Sequence, residues 1–350
     1  MKGKALLFGL NYSHCKQGQL KGCINDVYAM SRFIQSLLNI PYELYTDDVD
    51  RKNTSYDGIV EKLYALAIES YKEDLDFVWI HYSGHGSSVK DVSGDEADGM
   101  DEGLVPSDYE SKGILIDDIL HSVMCSFNPK TKILFVCDAC HSGTILDLRY
   151  TWNENKRYTI DNSKSSIKSN ITLISGCMDN QTSADAFNLM GDNKSIGALT
   201  ASFLKVLSAT PEKIYNSFKL LQAIRKELKY NKFSQYPCLS SNFDLTSEIS
   251  LIPIKNNQQP MQQPMVSGQQ PMVSGQPMQP AQQPMQPMQQ PLNYYQQYKP
   301  SNSQYFPQKY GFPQKPGKYE KYGMVPISQA SQTLYTQPYK YNQAQYYNHY

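Results

Sequence analysis

The chain has 350 residues, with 33 Lys and Arg against 33 Asp and Glu and 40 % apolar residues. That length suits one large domain or two ordinary ones, and the neutral balance argues against nucleic acid or an anionic membrane as partner. Seven cysteines, an odd number scattered along so long a chain, exclude a disulfide framework.

The neutrality is a sum of unlike parts. From Lys255 onward there are seven Lys and one Glu, so the rest of the chain is acidic by the same margin. The opening "MKGKALLFGLNYSHC" starts basic, but its apolar run is too short for a signal peptide and no small-residue cleavage site follows. No apolar run is long enough to span a bilayer. A cytoplasmic protein with mostly free thiols is expected.

In chain order, "KALLFGLNY" reads as a short strand. "CINDVYAMSRFIQSLLN" follows as a helix, with Ile24, Val27, Met30, Ile34, Leu37 and Leu38 at helical spacing. "YDGIVEKLYALAIESY" is a second amphipathic helix, and "DFVWIHYSGHG" is a strand entering a glycine loop. "LIDDILHSVMCSF" reads as helix, "KILFVCDAC" and "ITLISGC" as buried strands. "GALTASFLKVLS" and "KIYNSFKLLQAIRKELKY" read as the closing helices. Continuous apolar strands alternating with helices predict a three-layer α/β domain, its mostly parallel central sheet covered by helices on both faces.

Near residue 254 the chain changes character. An imperfect Gln-Pro-Met repeat gives way to a Tyr-, Gln- and Lys-rich stretch, and fifteen of the twenty prolines lie from Pro253 onward. Such a composition removes backbone donors and offers little to bury, so residues 254–350 are expected to be a disordered tail that solubilises, tethers or recruits.

Ligands of parallel α/β sheets sit beyond the carboxyl ends of the strands. Two strands here end in reactive residues: "HYSGHGSS" after one, "DACHSGT" after the other. His85 and Cys140 are 140 − 85 = 55 residues apart. An imidazole beside a thiol can take its proton, and caspases place their histidine about 50 residues upstream of the nucleophile. The glycines at 84, 86 and 143 permit tight turns and close substrate approach. The amides of Gly86 and Cys140 are candidates to face an oxyanion. Cys137 and Cys140 also have Cys-x-x-Cys spacing, but no second such pair completes a tetrahedral metal site, and Cys137 is expected to face the core.

"ALLFGLNY…LKGCINDVYAM", "FVWIHYSGHGS", "DEADGMDEGLVPSD" and "FVCDACHSGTILDL" resemble the successive signatures of metacaspases, caspase-like cysteine proteases. "ITLISGCMDNQTSADA" with "GALTASFLKVL" resembles the small-subunit part of the type I arrangement, and the likeness runs over residues 4–250. The resemblance implies a caspase-like catalytic domain over 1–253. It divides into a large-subunit-like part of about 1–148, a polar linker of about 149–170 and a small-subunit-like part of about 171–253. It implies a catalytic dyad of His85 and Cys140, and an acidic substrate pocket of Asp26 and Asp138 with Cys23 and Ser83 beside them. A carboxylate matches the fork of Arg or the point charge of Lys, so cleavage after Arg or Lys is expected rather than after Asp. Tyr82, Ser87 and Ser88 flank the histidine as packing or cleft-lining residues.

The resemblance also places an activating Ca2+ site, outside the chemical step, on Asp101, Asp117, Asp118 and Asp147. Clustered carboxylates suit that hard cation. An EF-hand reading of "DEADGMDEG" fails, because with Gly99 at the sixth position the first is Gly94, which cannot ligate. Lys156, Arg157, Lys164 and Lys168 in the linker are candidate autocleavage sites. In type I relatives the Pro/Gln-rich segment precedes the catalytic part, whereas here it follows. Protein substrates with exposed Arg or Lys, tail-mediated protein contacts and a monomeric core are expected. The rival reading is a catalytically silent caspase-like scaffold acting through its tail in recruitment or aggregate binding.

Overall fold

The computed structural model describes residues 1–15, 18–90, 99–153, 157–160, 165–176, 185–187, 195–245 and 250–252. The expected tail, with Lys156 and Lys164, lies outside the described residues. Among the described residues no helix is long and apolar enough to cross a membrane.

The elements alternate as their sequences suggest. They begin with β1 (Gly3–Gly9), α1 (Cys23–Leu38), β2 (Tyr42–Thr46), α2 (Tyr56–Lys72) and β3 (Phe77–Ser83). A side sheet of β4 (Gly86–Lys90), β5 (Met100–Leu104) and β6 (Leu115–Ile116) follows, with α3 (Tyr109–Lys112) between the last two. Next come α4 (Asp117–Met124), β7 (Lys132–Asp138), β8 (Tyr150–Trp152), β9 (Tyr158–Ile160) and β10 (Asn170–Ser175). A hairpin of β11 (Asp185–Phe187) and β12 (Ser195–Gly197) leads to α5 (Ala198–Ala209), α6 (Ser217–Tyr230) and β13 (Cys238–Ser241).

The main sheet has eight strands in the order β2-β1-β3-β7-β10-β13-β8-β9. The first five are parallel and the last three antiparallel to their neighbours. Successive side chains of a strand point to opposite faces, and the apolar residues sort accordingly. Leu6, Phe8, Val78, Ile80, Ile133, Phe135 and Cys137 pack with Ile59, Leu63 and Leu66 of α2 and Leu120 and Val123 of α4. Ala5, Leu7, Phe77, Trp79, Leu134 and Val136 pack with Val27, Met30 and Ile34 of α1 and Phe203 and Leu207 of α5. Both faces are therefore dry, which is why these strands carry no polar alternation.

Three features depart from the sequence reading. The linker expected over 149–170 supplies β8 and β9, joined by aromatic contacts: Trp152 and Tyr158 have ring centroids 5.0 Å apart. The Trp152 indole is buried and donates to Ser241 Oγ at 2.7 Å. Two three-residue strands among charges are too short to show a period. The final helical stretch breaks at Asn216, whose side chain caps α6 by accepting from the Lys219 amide at 3.0 Å. Leu115 and Ile116, read as helix, form β6 against β5.

His81, in the middle of β3, is fully buried, and neither ring nitrogen has a well-formed hydrogen bond. Burial pushes its pKa down to about 3. Between that value and the unfolded value near 6.5, the unfolded chain binds a proton that the native chain refuses, so stability falls as pH falls through this window. Going from pH 7 to pH 4.5, His81 should contribute a loss of about 2–3 kcal/mol. Urea unfolding of His81→Leu at the two pH values should show a pH difference smaller by that amount. An unchanged difference would mean that His81 is not held neutral.

Candidate active site

The parallel pairing of β3 with β7 sets Ser83 opposite Asp138 at the carboxyl end of the sheet. Both residues belong to the side-chain set that faces α1 and α5. There Asp138 Oδ2 accepts from the Thr200 amide at 2.9 Å and the Thr200 hydroxyl at 2.8 Å. Thr200 lies in the first turn of α5, whose N-terminal residue Gly197 has no side chain to cap it. A carboxylate from the neighbouring strand thus supplies the cap, where the helix dipole favours negative charge.

Asp26 reaches the same place from the first turn of α1. Its Oδ1 accepts from the Gly197 amide at 2.8 Å, and its Oδ2 accepts from the Ser83 hydroxyl at 2.5 Å. Asp26 is 0 % exposed and Asp138 4 %. A Cβ on Gly197 would overlap the Asp138 carboxylate and lie 2.8 Å from Asp26 Oδ2. Two buried carboxylates from different elements therefore meet across one glycine, held there by amides and hydroxyls. Removing such an ion from water costs several kcal/mol, and each charged hydrogen bond returns about 1.5–3 kcal/mol. The arrangement is near balance as a stability feature. Cys23, the first residue of α1, is buried.

On the opposite side of the strand ends, His85 is held by its backbone. Its amide donates to Tyr12 Oη at 2.9 Å, and the Tyr82 hydroxyl donates to its carbonyl at 3.0 Å. Tyr12 is itself fixed by its amide donating to Asp47 Oδ2 at 2.6 Å, and its ring lies 4.8 Å from the imidazole. Burial raises both tyrosines well above their ordinary pKa, so they serve as neutral donors. His85 Nε2 is 2.6 Å from the Gly18 carbonyl. A carbonyl only accepts, so Nε2 carries a proton in this contact. Asp47 and Gly18 lie in no quoted motif, and Tyr12, Gly197 and Thr200 lie in quoted segments that gave them no role. A glycine at a helix start in "GALT" is the one local signal among them.

Cys140 lies two residues beyond β7, half-buried, while Cys137 is fully buried in the core as expected. His141 follows with φ 46°, a left-handed conformation uncommon for a residue with a side chain. A Cβ on Gly86 would overlap the Cys140 carbonyl oxygen, so the histidine loop and the thiol turn touch through that glycine. Ser87 and Ser88 lie half-buried on β4.

The four aspartates expected to bind Ca2+ occupy one neighbourhood. Asp101 and Asp117 are buried, whereas Asp118 and Asp147 are partly exposed. Burial, with the charges of Asp147 and Asp101, raises Asp117 to about 9, although its oxygens accept from the amides of Glu102 at 2.8 Å and Asp118 at 2.9 Å. Among the described residues no three His, Cys, Asp or Glu side chains close around a common point. Glu102, which the sequence reading passed over, is buried at the same place and accepts from Thr144 Oγ1 at 3.1 Å. Asp117, whose ionisation is opposed by burial and by the neighbouring carboxylates, suits a hard divalent cation by its chemistry. Arg157 and Lys168 are exposed, Arg157 at the turn between β8 and β9.

Gly197→Ala separates propensity from crowding. At the observed φ of −61° the extra methyl is allowed by the backbone, and on entropy alone would stabilise by about 0.4–1 kcal/mol. Overlap with the carboxylates should instead destabilise by about 1–3 kcal/mol in urea unfolding. A stabilised variant would mean that the carboxylates do not converge there.

The family profile described as "Metacaspase, peptidase C14 domain" matches residues 3–149. The chain is 32 % identical over 302 residues to Metacaspase-1 of Candida glabrata, covering 71 % of this chain and 75 % of that protein. It is 31 % identical over 306 residues to Metacaspase-1 of Saccharomyces cerevisiae, covering 71 % and 68 %. Among solved structures, protein GSU0716 from Geobacter sulfurreducens matches with a TM-score of 0.50 at 25 % identity, covering 69 % of this chain and 93 % of that one. With its strand-end cysteine and histidine inside the matched span, the chain belongs to the metacaspase family of caspase-like cysteine peptidases.

Proposed function

We propose that this cysteine peptidase cuts its protein substrates after Arg or Lys, through a Cys140–His85 dyad stimulated by Ca2+. The observation that carries the specificity is the meeting of Asp26 and Asp138 at Gly197, beside the strand end from which Cys140 extends. A guanidinium or ammonium entering there brings compensating charge and charged hydrogen bonds to carboxylates that are cut off from water, whereas a substrate Asp meets like charge.

In this reading His85 Nδ1 takes the Cys140 proton, and the thiolate attacks the scissile carbonyl. The amides of Gly86 and Cys140 receive the developing oxyanion. The protonated imidazole then gives its proton to the leaving amine, and water, activated by the same histidine, hydrolyses the acyl-enzyme. The Gly18 carbonyl keeps the ring in the required tautomer throughout. Asp101, Asp117, Asp118 and Asp147 would hold the cation, which supplies positive charge to a repelling cluster. Asp147 follows the nucleophile by seven residues and has φ 47°, so ordering it orders the thiol's own loop. Arg157 and Lys168 meet the exposure that self-cleavage requires.

Hydrolysis of an Arg-P1 fluorogenic peptide in millimolar Ca2+, and then in chelator, tests the reading. It predicts calcium-dependent turnover that Cys140→Ala abolishes, with an Asp-P1 peptide left intact. Asp26→Asn and Asp138→Asn should each lower kcat/KM for the Arg peptide by at least about 30-fold, the cost of unpairing a buried charged hydrogen bond. Full activity in chelator would remove the calcium assignment. Unimpaired Arg cleavage by both Asn variants would remove the pocket assignment.

A further inference from the structure

A second thiol–imidazole pair lies outside this site. His121 and Cys125 are one helical turn apart, at the end of α4 and its C-terminal cap, and share a face. His121 is near enough to the Cys125 thiol to favour its thiolate, and Cys125 Sγ lies 3.1 Å from Ser166 Oγ. His121 Nδ1 is 3.0 Å from the Leu146 carbonyl. That carbonyl can only accept, so Nδ1 is protonated and Nε2 is left for the thiol. The arrangement repeats that of His85, where a loop carbonyl also ties one ring nitrogen.

The surroundings set this cysteine apart from the others. Cys15, Cys23, Cys137 and Cys238 are buried, at 6 % exposure or less, whereas Cys125 is partly exposed. Burial alone would disfavour its thiolate. Hydrogen bonds from His121 and Ser166, with the charges of His121 and Lys168, outweigh that and bring Cys125 below the ordinary thiol value. Burial likewise opposes charge on His121, but Cys125, the Leu146 carbonyl and Asp147 outweigh it and raise the imidazole. From α2, Tyr64 faces the pair, and burial keeps its phenol neutral. A partly exposed thiol beside an imidazole that favours its thiolate is the environment of a reactive cysteine, and a buried thiol is inert.

We propose that Cys125 is a modification site, separate from the nucleophile, that takes low-molecular-weight disulfides such as oxidised glutathione. The Cys125 thiolate attacks one sulfur of the disulfide. Its S–S bond breaks as the Cys125–sulfur bond forms, and the other half leaves as a thiolate that takes the proton of the His121 imidazolium. Cys125 is oxidised and the departing sulfur reduced, so no further oxidant enters. The adduct sits against His121, which holds Leu146, the residue before Asp147. It is therefore one hydrogen bond from the loop that follows Cys140.

The test uses the full chain carrying Cys140→Ala, exposed to oxidised glutathione over a range of pH, quenched with acid and mapped by mass spectrometry. Peptide mapping resolves Cys125 from Cys177, which lies outside the described residues. Cys125 should acquire the glutathionyl group severalfold faster than any of the four buried cysteines, with a half-maximal rate at lower pH than a free cysteine peptide. Adding His121→Asn should slow Cys125 severalfold at pH 7 while leaving its rate at high pH, where every thiol is ionised, little changed. Equal rates with and without His121, or Cys125 no faster than the buried thiols, would overturn the proposal. Should His121→Asn expose the buried thiols, the profile with His121 intact decides alone, and a half-maximum at the free-thiol pH overturns it.

Discussion

Everything at the site depends on the register between β3 and β7. These parallel strands are held in register by apolar residues on both faces, Val78 and Ile80 with Ile133 and Phe135 on one, Phe77 and Trp79 with Leu134 and Val136 on the other. Because side chains alternate, a slip of one residue would turn Asp138 toward α2 and α4, and Cys137 toward α1. Neither face could accept that exchange: one would bury an uncapped carboxylate, and the other would leave the N-terminus of α5 without Asp138. The apolar core thus decides where two of the polar site residues, Ser83 and Asp138, stand.

From that base the carboxylates and the thiol are held by different means. Asp26 and Asp138 rest on helix ends and strand ends, fixed by amides and hydroxyls of rigid elements. His85 is located instead by a relay of polar contacts, from Asp47 to the Tyr12 amide and from the Tyr12 hydroxyl to the His85 amide. A charge-assisted hydrogen bond of this kind contributes about 1.5–3 kcal/mol, enough to hold a buried tyrosine at φ 53°.

The amount legible in the sequence follows the same division. Continuous apolar strands and helical spacing revealed the layers, since burial on both faces leaves a simple pattern. The two loaded strand ends revealed His85 and Cys140, because a thiol and an imidazole at such places have few structural uses together. The side sheet stayed hidden, since "GSSVK" and "MDEGL" are small, polar or acidic and show no period. Thr200 and Gly197 stayed hidden for another reason. They meet Asp138 from some sixty residues away, through a contact that only the completed sheet creates. His121 and Cys125 lie within one stretch read as helix, where the i, i+4 spacing alone does not mark a pair, and Leu146, which orients the imidazole, is remote in sequence.

His85 and His121 share a construction. Each is tied through one nitrogen to a loop carbonyl, Gly18 for His85 and Leu146 for His121. Loop carbonyls shift more readily than strand or helix groups, because fewer packed contacts restrain them. The segment from Cys140 to Asp147 begins and ends near left-handed residues, His141 and Asp147, conformations that persist only where neighbours enforce them. Its neighbours are the acidic cluster on one side and His121 on the other. This segment therefore lies between the acidic cluster and His121, whereas the carboxylate pair at Gly197 is fixed by the sheet and by α5.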